Sequence, residues 1–208
     1  MENMGTNLFV FEGPDGVGKT SISKMFSSYL KSIGVACSYY SFPGDCSGTL
    51  GKHVYDIHHQ MGDAGITTIN PTSLQLLHVA SHIDAIESDI LPALRSGQTI
   101  VLDRFWWSTA IYGSVFGANP ESLRKMVEIE EMHWGDHHPM CVFYLKRRST
   151  LEPSPMAHWG KLVEAYDCLV GREVTRTRIE VINNDKSPEA ALKRILEVYK
   201  RLAKESHD

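Results

Sequence analysis

The segment Gly13-Pro14-Asp15-Gly16-Val17-Gly18-Lys19-Thr20 matches the pattern G-x-x-x-x-G-K-[ST] in full. Glycines at such spacing let consecutive backbone N–H groups turn inward on a phosphate without a Cβ in the way. A helix beginning directly behind the turn points its positive end at the same anion. Lys19 then reaches the β- and γ-phosphates of a nucleoside triphosphate, and the Thr20 hydroxyl ligates Mg²⁺. The chemistry predicted is binding of ATP–Mg²⁺ and transfer of a phosphoryl group. The competing reading is a glycine-rich turn with no ligand, and the surroundings decide against it. An apolar strand precedes the segment and a helical pattern follows at once.

A second constellation is Val101-Leu102-Asp103-Arg104. An Asp at the carboxyl end of a buried parallel strand lies beside a phosphate cradle in an open α/β sheet. Asp103 can hold a Mg²⁺-bound water or accept a proton from the attacking oxygen. Arg104 can bridge donor and acceptor phosphoryl groups with its planar fork. On its own an Asp-Arg pair reads as a strand-end ion pair; next to the cradle it reads as catalytic.

The elements that must position these residues alternate along the chain. Residues 7–12, 35–42, 98–105, 140–145 and 179–183 read as strands. Helical spacing covers residues 20–33, 51–61, 108–116, 120–134, 157–170 and 188–204, and a longer stretch runs from Pro71, capped by Asn70, to Gly97. In that stretch Leu74, Leu77, Ile83, Ile86 and Ile90 are expected to face a core, and Pro92 to bend or break the helix. Strand–helix alternation predicts an α/β fold: one domain over residues 1–208, with a parallel sheet wrapped by helices. Residues 146–156 hold charge, Ser, Thr and two prolines and read as a loop.

The chain has 208 residues, a formal net charge of −4 and 42% hydrophobic residues. This argues against a protein held to nucleic acid mainly by bulk positive charge. Cys37, Cys46, Cys141 and Cys168 form no C-x-x-C pair and read as idle thiols. No membrane span and no leader are visible, so a cytoplasmic location is expected, host cytoplasm for a viral source.

Residues 9–20, Phe42-Pro43-Gly44, residues 76–84 and 90–97, and Asp103-Arg104-Phe105 with Ser108 and Tyr112 resemble the thymidylate kinase family. Residues 179–183 with Ser187-Pro188-Glu189 look like its last strand and helix, so the resemblance covers nearly the whole chain. It implies a three-layer P-loop fold with a five-stranded parallel sheet, ATP as donor with Mg²⁺, a short lid at about 146–156, and a pocket for a thymine-like base lined by Phe42, His78, His82 and Tyr112. It implies that Asp15 positions the acceptor sugar or a catalytic arginine. Gly16 stands where some members carry that arginine; members with a small residue there supply it from the lid, here Arg147 or Arg148. Thr20 and Asp103 would hold the metal. A two-fold homodimer is common in the family, and residues 74–90 offer one apolar surface for it.

The departures concern the acceptor. The family usually has an arginine shortly after the Phe-Pro step to grip the acceptor's monophosphate, whereas Gly44-Asp45-Cys46-Ser47 stands here and Lys52 is the nearest cation on that stretch. The aromatic and arginine that sandwich the base in many members align with His78 and His82. One of Trp106 and Trp107 is expected in the core and the other against a base. The first reading is transfer of the γ-phosphoryl group to a deoxypyrimidine monophosphate such as dTMP. The alternatives are a kinase acting on 5-hydroxymethyluracil in DNA, as in some viral relatives, and a non-catalytic nucleotide-binding protein.

Overall fold

The structure is a computed structural model that describes residues 7–151 and 157–205. Its elements in chain order are β1 (Leu8–Glu12), α1 (Lys19–Ser32), β2 (Cys37–Ser41), α2 (Leu50–His59), a 3₁₀ turn (Met61–Ala64), and α3 (Pro71–Ala85). A π turn (Ile86–Ile90) then leads into α4 (Leu91–Arg95), followed by β3 (Thr99–Asp103), α5 (Trp106–Val115), α6 (Pro120–Trp134), β4 (Cys141–Lys146), α7 (Trp159–Glu173), β5 (Ile179–Asn183) and α8 (Pro188–Glu205).

The five strands form one parallel sheet in the order β2-β3-β1-β4-β5. Central strands β1 and β3 are buried at every residue, which explains their near-continuous apolar sequences. Side chains alternate between two cores. Leu8, Val10, Ile100, Leu102, Val142 and Tyr144 pack with residues of α4, α5 and α7, whereas Phe9, Phe11, Val101, Phe143 and Leu145 pack against α1 and α8. The expected α/β sheet with helices on both faces is what forms. Among the described residues no helix is long and apolar enough to cross a membrane.

Helix α3 starts as its sequence directs: Pro71 occupies the first turn and the Asn70 side chain accepts from the Thr72 N–H. Such a cap contributes roughly 1 kcal/mol. Pro92 does not end this helical run. The chain passes through the π turn before it, where the missing N–H is accommodated, and Gly97 closes the run at φ 82°. The expected core face of α3 is corrected. Ile86 and Ile90 are buried, but Leu74, Leu77 and Ile83 are only partly so, and α3 itself buries Gln75, His78, Val79, Ser81 and His82. The reason is position: α3 lies against α2, α5, α6 and the cavity beside them rather than against the sheet.

Candidate active site

Strands β1 and β3 lie side by side with Phe11 opposite Asp103, so the loop after one and the Asp-Arg pair after the other emerge together. The cradle turns through Gly13, Gly16 and Gly18, all at positive φ. A Cβ on Gly18 would sit 2.7 Å from Asn184 Nδ2, the amide that donates to Val17 O at 2.9 Å from the far side of the sheet. Lys19 is buried and donates to Pro14 O at 2.9 Å, with Asp15 at 3.5 Å. Burial, and next the charge of Arg104, push its pKa down. Its ammonium is thus held inside the loop, poised for an anion that would stabilise the charged form.

The predicted metal pair is brought together. Thr20 Oγ1 donates to Asp103 Oδ2 at 2.6 Å, while Asp103 Oδ1 is buried with no hydrogen-bond partner among the described residues. A buried unpaired carboxylate oxygen beside a hydroxyl is the donor chemistry that a hard cation such as Mg²⁺ takes. The residues fit the ion.

Arg104 is the one non-glycine among the described residues with positive φ, at 76°. That conformation costs about 1–2 kcal/mol for an L-residue. It is pinned on both sides, by Arg104 N–H to Phe11 O at 2.9 Å and Phe105 N–H to Glu12 Oε1 at 2.7 Å. The turn aims the guanidinium back at the cradle, where Nη2 pairs with Asp15 and Nη1 donates to Ser108 Oγ at 3.1 Å. The Tyr112 ring lies 5.2 Å from the guanidinium carbon, and Tyr112 OH accepts from the Asp15 N–H at 2.9 Å. Burial alone would raise the Asp15 pKa; Arg104 and then Lys19 outweigh it and hold the carboxyl well below its usual range. Asp15 thus holds the Arg104 guanidinium by an ion pair.

Sequence reasoning missed three supports. Glu12, fully buried at the end of β1, accepts from the N–H groups of Gly13, Phe105 and Ser108 and from the hydroxyls of Ser108 and Tyr166. A carboxylate closing a strand of apolar residues was the available signal. Trp159 donates its Nε1–H to Asp15 O at 3.1 Å, and Asn184 holds Val17; neither has a spacing relation to the cradle.

Beyond Arg104 opens a cavity of about 660 Å³ whose wall includes Phe42, His78, His82 and Tyr112, the four expected acceptor residues. Phe42 stacks on His82 at 4.1 Å, so His82 itself covers one face of that ring. His82 Nδ1 is 3.0 Å from the buried Glu130 carboxylate on α6. His58 from α2, unforeseen, approaches His78 with Nδ1 to Nε2 at 3.0 Å. Burial, then His82 and His58, push the His78 pKa down to about 2, so it is a neutral ring. Trp106 and Trp107 are both buried in the core, which corrects the expectation that one meets a base. Among the described residues no group of three or more ligand side chains could hold a metal ion through histidine, so neither His78 with His82 nor His137 with His138 forms one.

The lid arginines stand outside this cluster. Arg147 gives its guanidinium to the carbonyls of Asn184 and Ser149, and Arg148 is 92% exposed, facing Asp185. Leu151 N–H meets Gly16 O at 2.8 Å, which brings the start of the lid onto the cradle. Residues 152–156 of the expected lid lie outside the described residues.

The family model described as thymidylate kinase matches residues 11–157. A probable thymidylate kinase of Archaeoglobus fulgidus is 33% identical over 121 residues, 58% of this chain and 57% of the relative. A thymidylate kinase of Thermoanaerobacter pseudethanolicus is 33% identical over 123 residues, 59% of this chain and 58% of the relative. The chain thus spans little more than half the length of these curated relatives. The crystal structure of a thymidylate kinase from Ehrlichia chaffeensis superposes with a TM-score of 0.77 at 19% identity, covering 94% of this chain and 99% of that one, a likeness of fold.

Proposed function

The chain belongs to the thymidylate kinase family, and from that premise we propose that it transfers the γ-phosphoryl group of ATP to the 5′-phosphate of a dTMP-like deoxypyrimidine nucleotide. The observation that carries the proposal is the Arg104 guanidinium, fixed by Asp15 and Ser108 between the phosphate cradle and the cavity. A cation so placed can neutralise charge on a group passing from one side to the other.

Catalysis is then positioning plus electrostatics, with no covalent enzyme intermediate. Gly13, Pro14, Asp15, Gly16, Val17 and Gly18 supply the cradle's backbone, and Lys19 the buried charge for the β/γ-phosphates. Thr20 and Asp103 would hold Mg²⁺, which when bound neutralises phosphate charge. Arg104 holds the acceptor phosphate against the donor. Arg147 or Arg148 would add a third cation from the lid; a double Arg147→Ala, Arg148→Ala variant with undiminished kcat would remove both from the mechanism.

The relatives' names support a free nucleotide acceptor, so 5-hydroxymethyluracil in DNA and non-catalytic binding are not favoured. A cytoplasmic setting goes with that reading. A two-fold homodimer belongs to the proposal as well: Leu76, Ile129 and Met132 leave apolar side chains exposed on the adjoining α3 and α6. Sedimentation would test it, with a monomer at micromolar concentration as the contrary result.

The deciding experiment supplies ATP–Mg²⁺ with dTMP, other nucleoside monophosphates, and duplex DNA bearing 5-hydroxymethyluracil. Formation of dTDP is expected. Label entering DNA alone, or no transfer to any acceptor, would overturn the proposal.

A further inference from the structure

We infer that Lys24 grips the phosphate of the acceptor, doing from α1 what no cation on the loop after β2 is present to do. The inference rests on the functional reading above, because it takes the cavity to receive a phosphorylated acceptor.

A monophosphate brings close to two negative charges at neutral pH. The cavity it would enter already carries Asp15, Asp45 and Asp103 on its wall. Unscreened, those carboxylates oppose the ligand, so cations must offset them. Arg104 is one, but its guanidinium is shared between Asp15 and Ser108. Residues 44–49 contain no Lys or Arg. Lys52, the nearest cation further along, closes on both oxygens of Asp56, with Oδ2 at 2.6 Å. Lys19 is buried within the cradle.

Lys24 differs from all of these. It stands four residues beyond Thr20 on α1 and so shares its helix face. Both residues line the cavity, together with Tyr39 and Asp103. Its ammonium lies 5.6 Å from the Tyr39 ring centroid, and Tyr39 OH donates to Asp103 Oδ2 at 3.3 Å. The side chain is therefore laid along the wall toward the metal-binding carboxylate. It has no ion-pair partner among the described residues. A cation–π contact directs an ammonium without cancelling its charge. Three rotatable donors on a flexible stem then suit a phosphate whose approach angle is not fixed by a fork.

The test is steady-state kinetics with ATP–Mg²⁺ and dTMP, joined to calorimetry with dTMP and thymidine. Lys24→Ala is expected to raise KM for dTMP about tenfold or more, as loss of a charge-assisted contact does, with a smaller change in kcat and no change in KM for ATP. Lys24→Arg should restore most of the loss. Asp45→Asn should lower KM for dTMP by removing repulsion. In calorimetry the wild-type chain should prefer dTMP to thymidine, and Lys24→Ala should lose most of that preference. Equal weakening of dTMP and thymidine, or an unchanged KM for dTMP, would overturn the inference. Should the wild-type chain fail to phosphorylate dTMP, the functional reading falls. The calorimetric comparison then still judges Lys24: a preference for dTMP that survives Lys24→Ala refutes it, and one that disappears sustains it.

Discussion

The Thr20 hydroxyl donates to Asp103 Oδ2 at 2.6 Å, while the other Asp103 oxygen is buried without a partner. Two residues 83 positions apart thus meet because β1 and β3 pair in register. The free oxygen is what supports the proposal that this end of the site takes the metal. Asp103→Asn keeps the shape and removes the charge. A metal's charge stabilisation is worth several kcal/mol, so kcat/KM is expected to fall about a hundredfold or more. The Mg²⁺ concentration for half-maximal activity should rise with it. A Mg²⁺ titration of the variant that overlays the wild-type curve would place the metal elsewhere.

Glu12 receives five donors on one carboxylate, from Gly13, Phe105, Ser108 twice, and Tyr166. Burial pushes its pKa up, and the charges of Arg104 and then Lys19 oppose that. The side chain ties the cradle to the left-handed turn at Arg104 and to α7. Glu12→Ala leaves these donors buried and unpaired, which is expected to cost about 2–5 kcal/mol. Glu12→Gln is the informative variant. Its amide must present N–H groups to donors, so stability should fall less, yet kcat should still drop as Arg104 loses its support. Thermal unfolding and kinetics on the same samples check both. A Gln variant with wild-type kcat would reduce Glu12 to packing.

Such supports mark the boundary of what the chain's order reveals. The cradle, Asp103 and Arg104 are legible because their chemistry is local: eight consecutive residues, and a pair at a strand's end. The sheet is legible because strands buried on both faces need apolar residues throughout, as β1 and β3 show. Helix α3 misleads because Leu74 and Leu77 have core-like spacing yet are only partly buried, while Gln75, His78 and His82, which line the cavity, are buried. His58, Trp159 and Asn184 reach the site only through tertiary contacts, and nothing in their neighbours along the chain announces it.

Gly51 is buried at the start of α2 and touches the strap that carries Phe42. A Cβ there would sit 1.9 Å from the Pro43 carbonyl oxygen and 2.9 Å from its carbon, both backbone. Gly51→Ala must therefore move α2 away from that strap. Since α2 carries His58 into the cavity wall, the acceptor pocket should loosen while the cradle is untouched. Overpacking of this kind costs about 1–3 kcal/mol, and each kcal/mol lowers Tm by roughly 2–4 °C at this chain length. KM for dTMP should rise and KM for ATP should hold. Equal rises in both would mean that the disturbance spreads through the sheet.

His78 gives the fold a pH dependence whose sign is fixed by its surroundings. Its neighbours are His58 and His59 from α2, His82 on its own helix, and Arg104 from the turn after β3; all four disfavour a further positive charge, on top of burial. The folded-state pKa is pushed down to about 2, against an ordinary value of 6.5. Between those values the unfolded chain binds a proton that the native chain does not, so stability falls as pH drops below 6.5. One such group contributes about 1.4 kcal/mol per pH unit. His58, shifted in the same direction by burial and then His59, steepens the trend. Urea unfolding at pH 7.5, 6.5 and 5.5 should show little change over the first step and a clear loss over the second. His78→Asn keeps a polar side chain without the titration, so its loss over the second step should be smaller by about 1 kcal/mol. Identical losses in the two proteins would mean that His78 takes up its proton in the folded state as readily as in the unfolded one.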